Sequence, residues 1–243
     1  MNAFTRDQFD TAVTGWANCC SDFYAITKLI PTNYVFTFDA EQMDWMRNLN
    51  KYNEFCTEIG VYQGQLVAIL CPLDGGGKRL VVDKFPYCPL QELDRDLRLM
   101  QVKEYVIVRN AVLSKDLERV DNNVNAYLPV TNEPILEQDK AVEAIESWKN
   151  EGITWFYREC TEFKGSRIFK RFFVPMQDIT PSKSGFTHVV CSFGLKFSDV
   201  YQRLLPTLIF ISFYEDLQNS GSIETISNTY DWSQPCPPMC PLN

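Results

Sequence analysis

The longest apolar stretch of the chain covers residues 204–213, and it constrains the fold more than any other feature. It contains Pro206 and is far shorter than the roughly 20 apolar residues that a membrane-spanning helix needs. A short continuous apolar run between polar segments is typical of a fully buried strand. The run therefore predicts a strand. Its periodicity does not decide whether this strand lies in the central core or at an edge used for assembly.

A helix is predicted at residues 5–20 because Thr5 and Gln8 have the spacing of a capping box. Three apolar side chains then recur at helical spacing and share one face: Phe9, Val13 and Trp16. Further helices are predicted at residues 39–46, 89–100, 114–127 and 134–152, where capping residues precede apolar residues at helical spacing.

Short runs rich in β-branched and aromatic residues, separated by turn residues, predict an antiparallel meander in the first third of the chain. These runs cover residues 34–38, 55–62, 66–71 and 79–82. Later strands are predicted at residues 104–109, 153–160, 167–174, 186–196 and 206–214. Because the strands follow one another through short turns, the sheet pairing should be antiparallel.

Together these elements predict an α+β fold, with helices packed on one side of antiparallel sheet. The chain divides into an α+β lobe (1–82), a mixed connecting segment (83–133), a second α+β lobe (134–214) and an acidic tail (215–243). The same order of helix and strands occurs in both lobes, with Trp16 matching Trp148. This order predicts an internal duplication, with a binding groove between two similar lobes.

The acidic composition argues against a nucleic-acid partner. The chain has 31 Asp and Glu against 23 Lys and Arg, a net charge of −8, and none of its segments is basic overall. Since nucleic-acid affinity depends on neutralising phosphates, we predict that no nucleic acid is bound. The first residues lack the apolar segment of a secretory signal, which predicts a cytoplasmic protein with reduced thiols and no membrane partner.

The most distinctive motif is the tail segment Pro-Cys-Pro-Pro-Met-Cys-Pro at residues 235–241. Thiolates two to four residues apart can share a zinc ion, so Cys236 and Cys240 are candidate metal ligands, although a second such pair is missing. A Cys236–Cys240 disulfide is an alternative. Another is a stiff polyproline-like segment that a partner's aromatic groove recognises. Its partner-binding residues would be Trp232, Cys236, Pro237, Pro238, Met239 and Cys240.

No coherent catalytic motif is present in the sequence. The single histidine, His188, lies in a predicted strand three residues from Cys191, so the two side chains should point to opposite faces. Residues 74–78 lack the spacing of a phosphate-binding loop and predict a hairpin turn. Basic and aromatic residues interleave at 163–173, which is typical of a half-exposed strand with charged edge protection.

We therefore predict a non-enzymatic binding or assembly module of unknown ligand, with no cofactor, that recognises a protein partner or associates with itself. One alternative is an enzyme, such as a hydrolase whose carboxylates converge in a cleft between the lobes. Another is a zinc or redox protein that uses Cys236 and Cys240.

Overall fold

Antiparallel sheets organise the chain in a computed structural model that describes residues 1–93, 105–109, 125–129, 138–176, 186–215, 224–230 and 233–240. Within these residues there are four helices: α1 (Arg6–Cys19), α2 (Phe23–Leu29), α3 (Ala40–Leu49) and α4 (Gln138–Phe163). The predicted α+β class is confirmed. None of the described helices is both long enough and apolar enough to cross a membrane.

The first sheet contains six strands. In chain order they are β1 (Ala3–Phe4), β3 (Glu54–Tyr62), β4 (Gln65–Cys71), β5 (Phe85–Pro89), β8 (Arg171–Pro175) and β12 (Gln234–Cys236). Their spatial order is β1-β5-β4-β3-β8-β12, and every neighbouring pair is antiparallel. The C-terminal strand β12 thus forms one edge of a sheet that begins with the N-terminal strand β1.

The second sheet contains four strands. They are β2 (Val35–Asp39), β9 (Phe186–Ser198), β10 (Arg203–Glu215) and β11 (Glu224–Tyr230), in the spatial order β11-β10-β9-β2. The predicted apolar strand is β10, which lies between β9 and β11 and is buried from residue 205 to 213. It belongs to the central core. Two further strands, β6 (Tyr105–Arg109) and β7 (Asn125–Pro129), pair only with each other among the described residues.

Helix α1 begins where the capping box predicts. The Gln8 backbone N–H donates to Thr5 Oγ1, and the Thr5 backbone N–H donates to Gln8 Oε1. The helix then lies against β3 at very short range, because a Cβ atom on Gly60 would come within 3.0 Å of the Ala12 backbone. Asp39 caps α3 in the same reciprocal manner with Gln42, as Asp39 was predicted to do.

Aromatic side chains fill the space between the two sheets. Trp16 is fully buried, and its indole N–H donates to the backbone carbonyl of Phe169 over 2.8 Å. Trp148 stacks on Phe193 with ring centroids 4.7 Å apart. These rings join α1 and α4 to strands of both sheets, so the core depends on contacts between distant parts of the chain.

The predicted end of a helix at Gly152 and the predicted strand at 153–160 are wrong, since α4 continues without interruption to Phe163. The inward side chains Trp148, Trp155 and Phe156 keep helical spacing and are buried. Gly152 is tolerated inside the helix because the Trp148 ring lies against it, 3.1 Å from where a Cβ atom would be. Packing therefore outweighs the low helix propensity of glycine at this position.

Three other element predictions need correction. Pro89 ends strand β5 and opens no helix before residue 94, and residues 94–100 lie outside the described part. Tyr127 lies in a strand that pairs with β6, where long-range pairing overrides local helical spacing; residues 110–124 are not described. Residues 79–82 form no strand, only an isolated bridge between Leu73 and Arg79.

The internal duplication is not confirmed. Strands from residues 1–82 and from residues 134–214 meet as neighbours within both sheets: β3 pairs with β8, and β2 pairs with β9. Each sheet is therefore built jointly by the two segments that the sequence divides into lobes.

Candidate functional site

A cavity of about 460 Å³ opens beside the edge of the first sheet where β12 lies. Its walls are formed by the start of α1, the loop after β4 at residues 72–82, and strands β3, β8 and β12. Four cationic side chains line it: Arg6, Lys78, Arg79 and Arg171. None of the described residues that line the cavity is acidic. In a chain with a net charge of −8, this is a local concentration of positive charge, in which Arg6 also pairs with Asp10 at 3.3 Å.

Buried Glu58 holds two of these cations in place. It is 0% exposed on β3, directly opposite Arg171 on β8. Arg171 Nε lies 3.2 Å from Glu58 Oε1, and Arg79 donates a hydrogen bond to the same oxygen. The Arg79 guanidinium also lies over the Phe9 ring, 4.8 Å from its centroid. A buried carboxylate requires such partners, and in return it fixes both guanidinium groups at the cavity wall.

The electrostatics of this ion cluster follow from its burial. Burial raises the pKa of Glu58, while the guanidinium groups of Arg171 and Arg79 act to lower it. Burial acts to lower the pKa of Arg79, but the acidic groups around it, with Glu58 the strongest of them, together raise it. Glu58 Oε2 and Arg171 Nε are both buried without a hydrogen-bond partner among the described residues. The cluster therefore keeps Glu58 Oε2 as an unused acceptor, while Arg171 Nε contacts Glu58 Oε1 as an ion pair without hydrogen-bond geometry.

The loop after β4 is shaped by Asp74. Its Oδ1 accepts hydrogen bonds from the backbone N–H groups of Gly76 and Lys78, at 2.8 and 3.0 Å. These two hydrogen bonds hold the pKa of Asp74 below its ordinary value. Gly77 supplies the positive φ of 77° that the turn needs. The predicted turn is confirmed, although an isolated bridge takes the place of the second hairpin strand, and the turn carries Lys78 and Arg79 to the cavity.

Replacing Asp74 with alanine should loosen this loop while leaving the sheets intact. We expect amide hydrogen exchange in residues 74–80 to become about fivefold to tenfold faster, because two backbone N–H groups lose their acceptor. Acidification should act in the same direction. A carboxyl group whose pKa is lowered by folding stabilises the folded state at pH values above the ordinary carboxyl pKa. That stabilisation is lost as the pH falls through the folded-state pKa.

Exchange mass spectrometry at neutral pH measures the loop directly. Asp83→Ala is the matched control, since Asp83 is an exposed acidic residue close to the same loop. If exchange in the loop of the Asp74→Ala protein stays at the wild-type rate, the loop is held by something other than this carboxylate.

The two tail cysteines are bonded to each other, so the disulfide alternative is the form that the structure contains. The Cα atoms of Cys236 and Cys240 are 4.8 Å apart, and both residues line the cavity. The zinc site stays a prediction that requires the reduced pair, because zinc binds thiolates. In the described part of the chain, no group of three or more His, Cys, Asp or Glu side chains is arranged to hold a metal ion.

The tail docks on its own chain. Strand β12 pairs with β8, and the buried Ser233 hydroxyl lies 2.8 Å from Thr207 Oγ1. The predicted partner-binding residues Pro237, Pro238 and Met239 form the half-buried loop between the two cysteines. Trp232 lies outside the described residues. Recognition of this segment by a partner stays a prediction.

The other seven cysteines and His188 lie in surroundings typical of residues that pack the fold. Seven cysteines are free, and burial raises the pKa of Cys56, Cys88 and Cys191 well above the ordinary thiol value. Buried thiols of this kind are poor nucleophiles. The His188 ring stacks on Phe213, and its Nδ1 lies 2.9 Å from Thr187 Oγ1.

The interleaved basic and aromatic residues at 163–173 also serve the fold. Arg167 donates two hydrogen bonds to buried Glu159, at 2.9 and 2.7 Å, and its guanidinium lies 3.4 Å from the Phe163 ring centroid. Phe169 and Phe172 are fully buried. Strand β8 begins at Arg171, four residues later than predicted.

Sequence reasoning missed the cationic cavity because its residues come from separate segments. Arg6 begins the first helix, Arg79 lies in a loop, and Arg171 lies on a strand from a distant part of the chain. One signal was available. Glu58 is the one charged residue in the buried part of β3, and a buried carboxylate implies cationic partners.

Comparisons of the chain with models of protein families, with curated proteins and with solved structures found no match. The function of the cavity therefore has to be argued from its own geometry and charge.

Proposed function

We propose that the protein is a binding module for a small organic anion held in the cationic cavity. The observation that supports this most directly is the convergence of four cationic side chains on a space whose described lining includes no acidic group. Guanidinium and ammonium groups bind carboxylates and phosphates through charge-assisted hydrogen bonds. The proposal gives a ligand class to the non-enzymatic binding function that the sequence predicts; the protein partner or self-association stays a separate prediction.

The size and lining of the cavity favour an organic ligand over a simple ion. A volume of about 460 Å³ is far larger than a phosphate needs and falls in the range of small-molecule sites, roughly 300–1,000 Å³. Leu73, Leu80 and Phe173 provide apolar wall beside the cations. A ligand with a carbon skeleton and one or more acidic groups can use both kinds of surface.

The Glu58 cluster supports tight recognition because it holds the cations before a ligand arrives. Without Glu58, the side chains of Arg79 and Arg171 would have to lose conformational freedom on binding. With it, both guanidinium groups are already oriented at the wall. A single carboxylate shared by two guanidinium groups leaves net positive charge for the ligand.

Calorimetric titration of the protein with citrate and with inorganic pyrophosphate at low ionic strength tests this proposal. We expect binding of at least one of them with a Kd of about 1 mM or lower, weakening as salt is added. Lys78→Gln should weaken binding about tenfold, equivalent to about 1.4 kcal/mol. Lys78 is a suitable position because it lies outside the Glu58 ion cluster, so the substitution leaves that cluster intact.

Arg158→Gln is the charge-matched control. Arg158 lies on α4, pairs loosely with Glu162 at 3.9 Å and does not line the cavity. Its replacement removes the same charge and should leave the affinity unchanged. The proposal is refuted when neither anion binds, or when the control weakens binding as much as Lys78→Gln does.

A further inference from the structure

We propose that the anion is a thiol, and that the Cys236–Cys240 disulfide in the cavity wall exchanges with its sulfur. This inference rests on the proposed anion-binding function and names the ligand class as a low-molecular-weight thiol that bears carboxylate groups. It is carried by one juxtaposition: the disulfide and the four cations line the same cavity.

The two sulfurs differ in access, and this difference assigns their roles. All nine cysteines lie in described residues, and Cys240 is the one that is exposed. Cys236 is only 9% exposed. An attacking thiolate therefore reaches Cys240 Sγ, which leaves Cys236 as the departing sulfur.

Charge favours this direction of attack. Cys236 lies directly opposite Arg171 in the pairing of β12 with β8, so negative charge develops at a residue whose strand neighbour is cationic. Lys78 and Arg6 line the same cavity and can hold the carboxylates of the incoming thiol. The same side chains would repel a positively charged thiol.

The exchange balances without any further reactant. The thiolate sulfur of the ligand forms a bond to Cys240 Sγ, the Cys236–Cys240 bond breaks, and its electron pair leaves with Cys236 as a thiolate. A second molecule of the thiol can then attack the ligand sulfur of the mixed disulfide. That step releases the oxidised ligand as a disulfide and leaves both cysteines reduced, so two thiols are oxidised as one protein disulfide is reduced.

The fold tolerates opening of this bond. The disulfide spans a sequence separation of only 4, and such a short loop constrains the unfolded chain less than a long loop would. Strand β12 has its own attachment, since the Lys170 backbone N–H donates to the Cys236 carbonyl over 2.8 Å. Cys56 also lines the cavity, but it is buried with a raised pKa and competes poorly as a thiolate.

The test compares glutathione, which is anionic, with cysteamine, which is cationic, at concentrations and pH that give equal thiolate. Intact mass spectrometry follows the mixed disulfide, and peptide mapping locates it. We expect glutathione to react about tenfold faster at low ionic strength, with the adduct on Cys240. Pyrophosphate should slow the glutathione reaction, and Lys78→Gln should reduce the preference while Arg158→Gln keeps it.

Equal rates for the two thiols would overturn this inference, as would an adduct located on Cys19 or Cys160, the two partly exposed free cysteines. The calorimetric titration keeps the two proposals distinguishable. Anion binding that depends on Lys78, together with equal exchange rates, refutes the exchange alone. Absence of binding by citrate and pyrophosphate refutes the anion site itself.

Discussion

Replacing Gly165 with alanine should lower the free energy of unfolding by about 3 kcal/mol or more. Gly165 follows α4 with a φ of 72°, a conformation that costs energy for any residue with a Cβ atom. Its backbone N–H donates to the Glu159 carbonyl over 2.9 Å and closes the end of the helix. A Cβ atom here would also overlap the backbone carbonyl of Cys20, which no side-chain rotation can relieve.

Gly64→Ala is the matched control for this substitution. Gly64 lies in the turn between β3 and β4 with a φ of 78°, and an added Cβ atom would meet nothing within 4 Å. This substitution should lower the free energy of unfolding by about 1 kcal/mol, which is the conformational penalty alone. Chemical denaturation of both variants measures the difference, which reports the close contact between residues 20 and 165. Equal losses would mean that this contact does not exist in solution.

Replacing Trp16 with phenylalanine should cost about 3 kcal/mol of unfolding free energy. The indole is fully buried and donates to the Phe169 carbonyl. Phenylalanine removes part of the packed volume and also leaves a buried carbonyl without its donor. Both losses act in the core between the sheets, where the structure has little room to adjust.

Trp148→Phe separates the two losses. Trp148 is equally buried, but its indole N–H has no hydrogen-bond partner among the described residues. Its replacement should therefore cost only the packing contribution, about 1–2 kcal/mol. Thermal and chemical denaturation of the two variants should differ by about 1–2 kcal/mol, the cost of the unpaired carbonyl. If Trp148→Phe is as destabilising as Trp16→Phe, the hydrogen bond contributes nothing measurable.

The parts of the fold that could be predicted from sequence are those with a local cause. The start of α1 follows from Thr5 and Gln8, which lie three residues apart, and the start of α3 follows from Asp39 in the same way. The apolar run of β10 predicts a buried strand because a strand buried on both faces is apolar throughout, but the run leaves open whether that strand is central or at an edge.

The parts that could not be predicted depend on contacts between distant segments. Gly152 marks the end of a helix by local rules, but the Trp148 ring makes it an interior position. The cavity needs strands β3, β8 and β12 to be neighbours, and nothing local in the sequence specifies that order. Glu58 and Arg171 therefore become partners only through the topology.

The pairing of early strands with late strands has a consequence for biosynthesis. The Trp16 hydrogen bond joins residues that are 153 positions apart, and β3 has to wait for β8, which begins only at Arg171. Closing such long loops costs entropy before the contacts form, which places the chain among slow folders. While the ribosome is still adding residues beyond 100, β3 has one unpaired, apolar edge. We expect nascent chains of this length to depend on chaperones and to aggregate when chaperones are scarce.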